Sequence, residues 1–109
     1  MSVPVTGASL SPSQRRLVEL MRRINYGRIE ALHVRAGAPA FDPPPRVVRK
    51  VKIGGENGPR REPSPDAPMK KDLIEMFDHM NLVGDGVVRS IEVKNGMPFS
   101  LDIEETVGA

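Results

Sequence analysis

The sequence has no cysteine and no tryptophan, and its 109 residues carry only four aromatic rings, Tyr26, Phe41, Phe77 and Phe99. Without cysteine there is no disulfide framework and no thiolate metal site. Few aromatic rings leave little for base stacking or for an interface anchored on Trp and Tyr. Six Met partly fill the gap as adaptable packing residues. No apolar run approaches the roughly 20 residues that cross a bilayer. The segment Met1–Leu10 lacks the basic start and continuous apolar stretch of a signal peptide. The reading at this level is a soluble, cytoplasmic chain with no membrane partner.

What is present describes an ordinary globular chain. Hydrophobic residues make up 39% and charged residues 28%, which suits a folded domain better than a disordered one. A chain of 109 residues suits one compact domain, since two separate cores of about 50 residues each would be marginal. The net charge of +2 conceals an asymmetry. Residues 1–61 hold twelve Lys/Arg against four Asp/Glu, whereas residues 62–109 hold four against ten. Such a split points either to a polyanionic partner or to two halves that attract each other, within one molecule or between copies.

The chain reads as two versions of one unit. Arg16 to Asn25 aligns with Asp72 to Asn81, and after three extra residues in the second copy Gly27 to Pro39 aligns with Gly86 to Pro98. The first helix starts at Ser11 as cap, with Pro12 at the first helical position and Gln14 completing a capping box. Leu17, Leu20, Met21 and Ile24 then form one apolar stripe, and Asn25 to Gly27 ends the helix. The second helix is expected to be capped by Asp66, to carry Met69, Leu73, Met76, Phe77 and Met80 as its stripe, and to end over Asn81 to Gly86. Each hairpin is expected to turn through three residues, Arg35-Ala36-Gly37 and Lys94-Asn95-Gly96. That register pairs Val34 with Ala38, Leu32 with Ala40, Val93 with Met97 and Ile91 with Phe99. Pro39 and Pro98 mark edge strands.

Between the copies, Phe41-Asp42-Pro43-Pro44-Pro45 is stiff and extended, and a further strand is expected over Arg46 to Ile53. The resulting fold class is α+β: two tandem helix-plus-hairpin units, an extra strand after the first, and small antiparallel sheets covered by two helices. Residues 1–10 form a flexible tail, 11–55 the basic unit, 56–67 a Gly/Pro-rich linker and 68–105 the acidic unit, together one compact domain.

Six basic residues form the leading candidate site for nucleic acid or another polyanion: Arg46, Arg49, Lys50, Lys52, Arg60 and Arg61. Arg15, Arg16, Arg22 and Arg23 of the first helix add charge away from its apolar stripe. The Gly-rich run Gly54-Gly55-Glu56-Asn57-Gly58-Pro59-Arg60 matches neither the phosphate-binding loop nor the dinucleotide fingerprint, and reads as a connection. His33 alternates with apolar neighbours and faces solvent. His79 with Glu75, Asp72 and Asp78 reads as a solvated acidic helix face rather than a metal set. No nucleophile–base–acid pattern stands out. The sequence therefore points to a non-enzymatic binding or regulatory protein with no cofactor and no metal, whose basic half contacts nucleic acid or another polyanion. The alternative is a protein-interaction module that joins a partner or a second copy through edge strands and oppositely charged halves.

Overall fold

The computed structural model describes residues 10–55, 58 and 71–104. Within them the chain is α+β, with two helices and a five-stranded antiparallel sheet. The elements are α1 (Pro12–Ile24), β1 (Gly27–Arg35), β2 (Ala38–Ala40), β3 (Arg46–Arg49), α2 (Lys71–Val83), β4 (Gly86–Lys94) and β5 (Met97–Glu104). The described part of the acidic unit begins at Lys71, so the expected cap Asp66 and the stripe residue Met69 lie outside the described residues.

The start of α1 follows the sequence signature. The Ser11 hydroxyl accepts from the Gln14 amide, and the Gln14 side chain accepts from the Ser11 amide at 2.9 Å. Pro12 then costs nothing, because an amide in the first turn has no helical acceptor. At the other end Asn25, φ 60 and ψ −57, centres a tight γ-turn in which the Tyr26 amide donates to the Ile24 carbonyl at 2.7 Å, and the Asn25 amide donates to the Met21 carbonyl. Leu10, the first described residue, packs against the core.

The sheet order is β2-β1-β4-β5, with β3 also pairing with β1. The Pro39 and Pro98 strands are thus the outer ones. β2 meets Arg35 to His33 and β3 meets Glu30 to Gly27, so both lie end to end along the same side of β1. β3 is shorter than expected and stops at Arg49. Its partner is exhausted there: Lys50 donates to the Tyr26 carbonyl, and beyond that point no strand residue remains to pair with. Val51 and Ile53 are consequently exposed, Ile53 almost fully.

The hairpins also differ from expectation. Both turn through two residues, Ala36-Gly37 and Asn95-Gly96, and all four have positive φ (53, 78, 54 and 73), as a type I′ turn requires. Val34 therefore faces Pro39 and Val93 faces Pro98, not Ala38 and Met97. Phe99 becomes an extra residue between the Val93–Pro98 and Glu92–Ser100 pairs, Ile91 faces Leu101, and Phe99 is left 63% exposed.

The central strands bury Ile29, Leu32 and Val34 of β1 and Val88, Ile91 and Val93 of β4. A spacing of three and then two is incompatible with strict alternation. Ala31 resolves this in β1 with a left-handed conformation, φ 57, which returns Leu32 to the core face. In β4 the register against β5 shifts between Val88 and Ser90. Leu17, Met21 and Ile24 of α1 and Leu73, Met76, Phe77 and Met80 of α2 complete one apolar cluster with these strands.

The pairing of β1 with β4 is self-matching. Gly27 pairs with Val93 while Gly86 pairs with Val34, and Ile29 pairs with Ile91 while Val88 pairs with Leu32. The turns follow the same rule. Gly96 donates to the Asn25 carbonyl and Gly37 to the Gly84 carbonyl, each at 2.8 Å. Gly84, φ 71, therefore plays at the end of α2 the part Asn25 plays at the end of α1, and its amide donates to Met80 as that of Asn25 does to Met21. The three extra residues expected before the second hairpin are not an insertion. Both helices have 13 residues, and each is followed by two residues before its strand begins, so helix and strand correspond at one constant spacing in the two halves.

Candidate functional site

The strand geometry divides the six basic residues. Arg46 pairs with Glu30 and Val48 with Arg28, on the sheet face turned away from the helices. Val47 pairs with the buried Ile29, and by alternation Arg49 shares the helix side with it. On the open face Glu30 accepts from Arg28 Nε at 3.0 Å and lies 4.0 Å from Arg46 Nη1. Arg46 is thus drawn into a mixed cluster, with a side chain 79% exposed.

Lys50 also belongs to the open face. It lines a shallow groove there with Tyr26, Arg28 and Lys94, but Glu92 and Asp102 line the same groove. Opposite charges at such spacing offset each other, so this face carries mixed rather than uniformly positive charge. Lys52 sits in the turn after β3, where its carbonyl accepts from the Gly55 amide at 3.0 Å. Gly55 N–H is thereby committed within the turn, and the Gly58 carbonyl accepts from Asn25 Nδ2 at 3.0 Å. Arg60 and Arg61 lie outside the described residues.

A different basic surface forms between α1 and the outer lane of the sheet. The Pro-rich run carries the chain from β2 to β3, and with α1 it bounds a groove of about 330 Å³. Its floor is Leu20, Phe41, Pro44, Pro45 and Val47, and its charged rim is Arg16, Arg23 and Glu19. Glu19 is ion-paired with Arg22 at 2.8 Å. The Arg16 guanidinium lies over the Phe41 ring, 4.4 Å from its centre, a cation–π contact at the groove mouth. Arg23 lies in the last turn of α1, where a cation also complements the helix dipole. Arg49 stands on the same side of the sheet. The sequence marks the helix arginines but not the groove, because the apolar floor comes from a segment whose path the prolines leave open.

The opposite edge carries the counterpart. Between α2 and β5 a groove of about 450 Å³ is lined by Asp72, Glu75 and His79 over Met76, Leu101, Ile103 and Phe99. By the matching of the helix ends, Glu75 stands in α2 where Arg16 stands in α1. The Phe99 ring at this edge carries Lys94 Nζ 3.8 Å from its centre. His33 is half-buried in β1, between Ala40 and Val87.

Among the described residues the buried side chains are apolar throughout, and no three His, Asp or Glu side chains converge as a metal set. No described helix is long and apolar enough to cross a membrane. No protein-family model, curated protein or solved structure matches the chain.

Proposed function

We propose that this is a non-enzymatic binding protein whose basic half holds a polyanion, with nucleic acid as the leading class, along the α1–β3 edge. One observation carries the reading: Arg16 and Arg23 rim a groove with an apolar floor, and Arg16 lies over the Phe41 ring. Guanidinium groups at a groove mouth suit phosphate oxygens, and they release condensed counterions on contact. The floor offers one aromatic ring, which supports backbone tracking more than base readout. The helix arginines lead over Arg46 and Lys50, which share the open face with Glu30, Glu92 and Asp102.

The self-matching pairing of β1 with β4 favours an origin by internal duplication, with two helix-plus-hairpin units packed about a shared core. On this reading the first unit diverged toward the ligand and the second toward acidity. The opposed charges at the two edges favour a second reading, a module that associates through its edge strands.

The test of the polyanion reading is titration of labelled single-stranded DNA, duplex DNA and RNA across a salt series. Affinity should fall linearly with salt on logarithmic axes, and Arg16→Ala with Arg23→Ala should reduce the slope by about two. No binding at the lowest salt, or an unchanged slope in the double variant, removes the reading.

A further inference from the structure

We propose that a second copy of this chain docks head to tail, the α2–β5 edge of one molecule against the α1–β3 edge of the next. The inference rests on the second reading above and not on polyanion binding. Charge is the first argument. One edge presents Arg16 and Arg23, the other Asp72 and Glu75, and all four side chains are exposed.

Strand direction is the second argument. β3 and β4 both run antiparallel to β1, and β5 runs antiparallel to β4. β5 therefore runs antiparallel to β3, so a copy placed alongside without inversion continues the antiparallel sense of the sheet. Both helices belong to the same core on the same face, so α2 of one copy then lies beside α1 of the next. The acidic and basic rims meet across that trough. The two symmetric alternatives fail on charge. Joining β5 to β5 sets Asp72 and Glu75 against their own copies, and joining β3 to β3 does the same with the arginines.

The join is made by side chains more than by backbone. Pro39, Pro98, the Pro43–Pro45 run and the bulge at Phe99 all interrupt a regular ladder of edge amides. The bulge in turn pushes Phe99 outward, 63% exposed, on the edge that faces the Val47 floor of the next copy, itself 43% exposed. A contact of this kind is modest in area and dominated by exposed ion pairs, so it weakens as salt screens it. Being heterologous, it closes as a ring or grows as a chain.

The experiment is sedimentation velocity of the full chain over a concentration series, with no nucleic acid present, on the wild type and two charge-reversed variants. One carries Arg16→Glu and Arg23→Glu, the other Asp72→Lys and Glu75→Lys. Far-ultraviolet circular dichroism shows that each keeps its helices. Wild type should associate at low salt and dissociate at high salt. Each variant alone, with like charge at both edges, should associate about tenfold more weakly or worse. An equimolar mixture of the two should associate again, because the reversed basic edge of one meets the reversed acidic edge of the other. A wild type that stays monomeric at every concentration and low salt overturns the proposal. So does a variant that associates as wild type does, or a mixture that stays dissociated. Because no polyanion is present, these outcomes are independent of the nucleic-acid test.

Discussion

Gly27→Ala probes how β3, one wall of the basic groove, is held. Gly27 has φ 155, and a Cβ there would strike the Val48 carbonyl oxygen and come within 3.0 Å of Arg49 Cα and Ile24 Cγ2. Two of those three atoms are backbone and cannot turn aside. Backbone strain of this kind costs about 1–3 kcal/mol, and overpacking adds a similar amount. The molecule has a cheaper route. The four-residue β3 gains about 1 kcal/mol net for each ladder hydrogen bond and a further 1–2 kcal/mol from part-burial of its valines. Ordering those residues costs about 1–2 kcal/mol each, so the strand is held by a small margin. The variant should therefore release β3 and leave the Leu32–Ile91 core intact. The expected loss is about 2 kcal/mol, or roughly 8–16 °C in Tm for a domain of this size. Hydrogen exchange is the decisive assay. The Lys50 amide, which donates to the Tyr26 carbonyl at 2.8 Å, should lose its protection, while the core amides of β4 lose no more than the roughly 30-fold that about 2 kcal/mol implies. Polyanion affinity should fall as well, although no charge has been removed. Unchanged protection at Lys50, or global unfolding, would refute this account of how β3 is held.

Other substitutions test other joints. Gly37→Ala places a Cβ against Asn81, 3.2 Å from its Cα, at φ 78, and should cost about 2 kcal/mol or more by thermal unfolding. Ser11→Ala removes the capping box of α1 and should cost about 1 kcal/mol, visible as a lower denaturant midpoint with unchanged slope. Phe77→Ala hollows the core beneath α2, where the ring is 6% exposed, and should cost about 3–5 kcal/mol. By contrast, Ile53→Ala should leave stability within about 0.5 kcal/mol, since that side chain is 92% exposed.

Much of the architecture was legible because it is local. Ser11, Pro12 and Gln14 announce a helix start through contacts spanning three residues, and the structure forms them. The Met- and Leu-bearing stripes were legible for the same reason. The hairpin turns were missed by one residue, because an Asn-Gly pair suits both a two-residue loop and a three-residue one. The two-residue turn needs the bulge at Phe99 to bring Leu101 opposite Ile91, and that bulge is not written in the turn. That single residue moved Phe99 from the expected inner face to the outside. The end of β3 was also invisible, since it is fixed by where β1 runs out and not by the Val-Lys-Ile sequence that follows. The candidate site was half legible. The charge asymmetry is plain in the sequence, but which arginines share a surface depends on strand alternation and on the path of three prolines. Arg46 and Arg49, three residues apart, end on opposite faces.

The most direct measurement is a nuclear magnetic resonance titration of the isotope-labelled protein with a short single-stranded DNA at low salt. The account predicts amide shifts confined to α1 around Arg16 and Arg23 and to β3 around Val47 and Arg49, reversed by added salt. Shifts centred on Lys50 and Lys94 of the open face, or on α2 and β5, would contradict it.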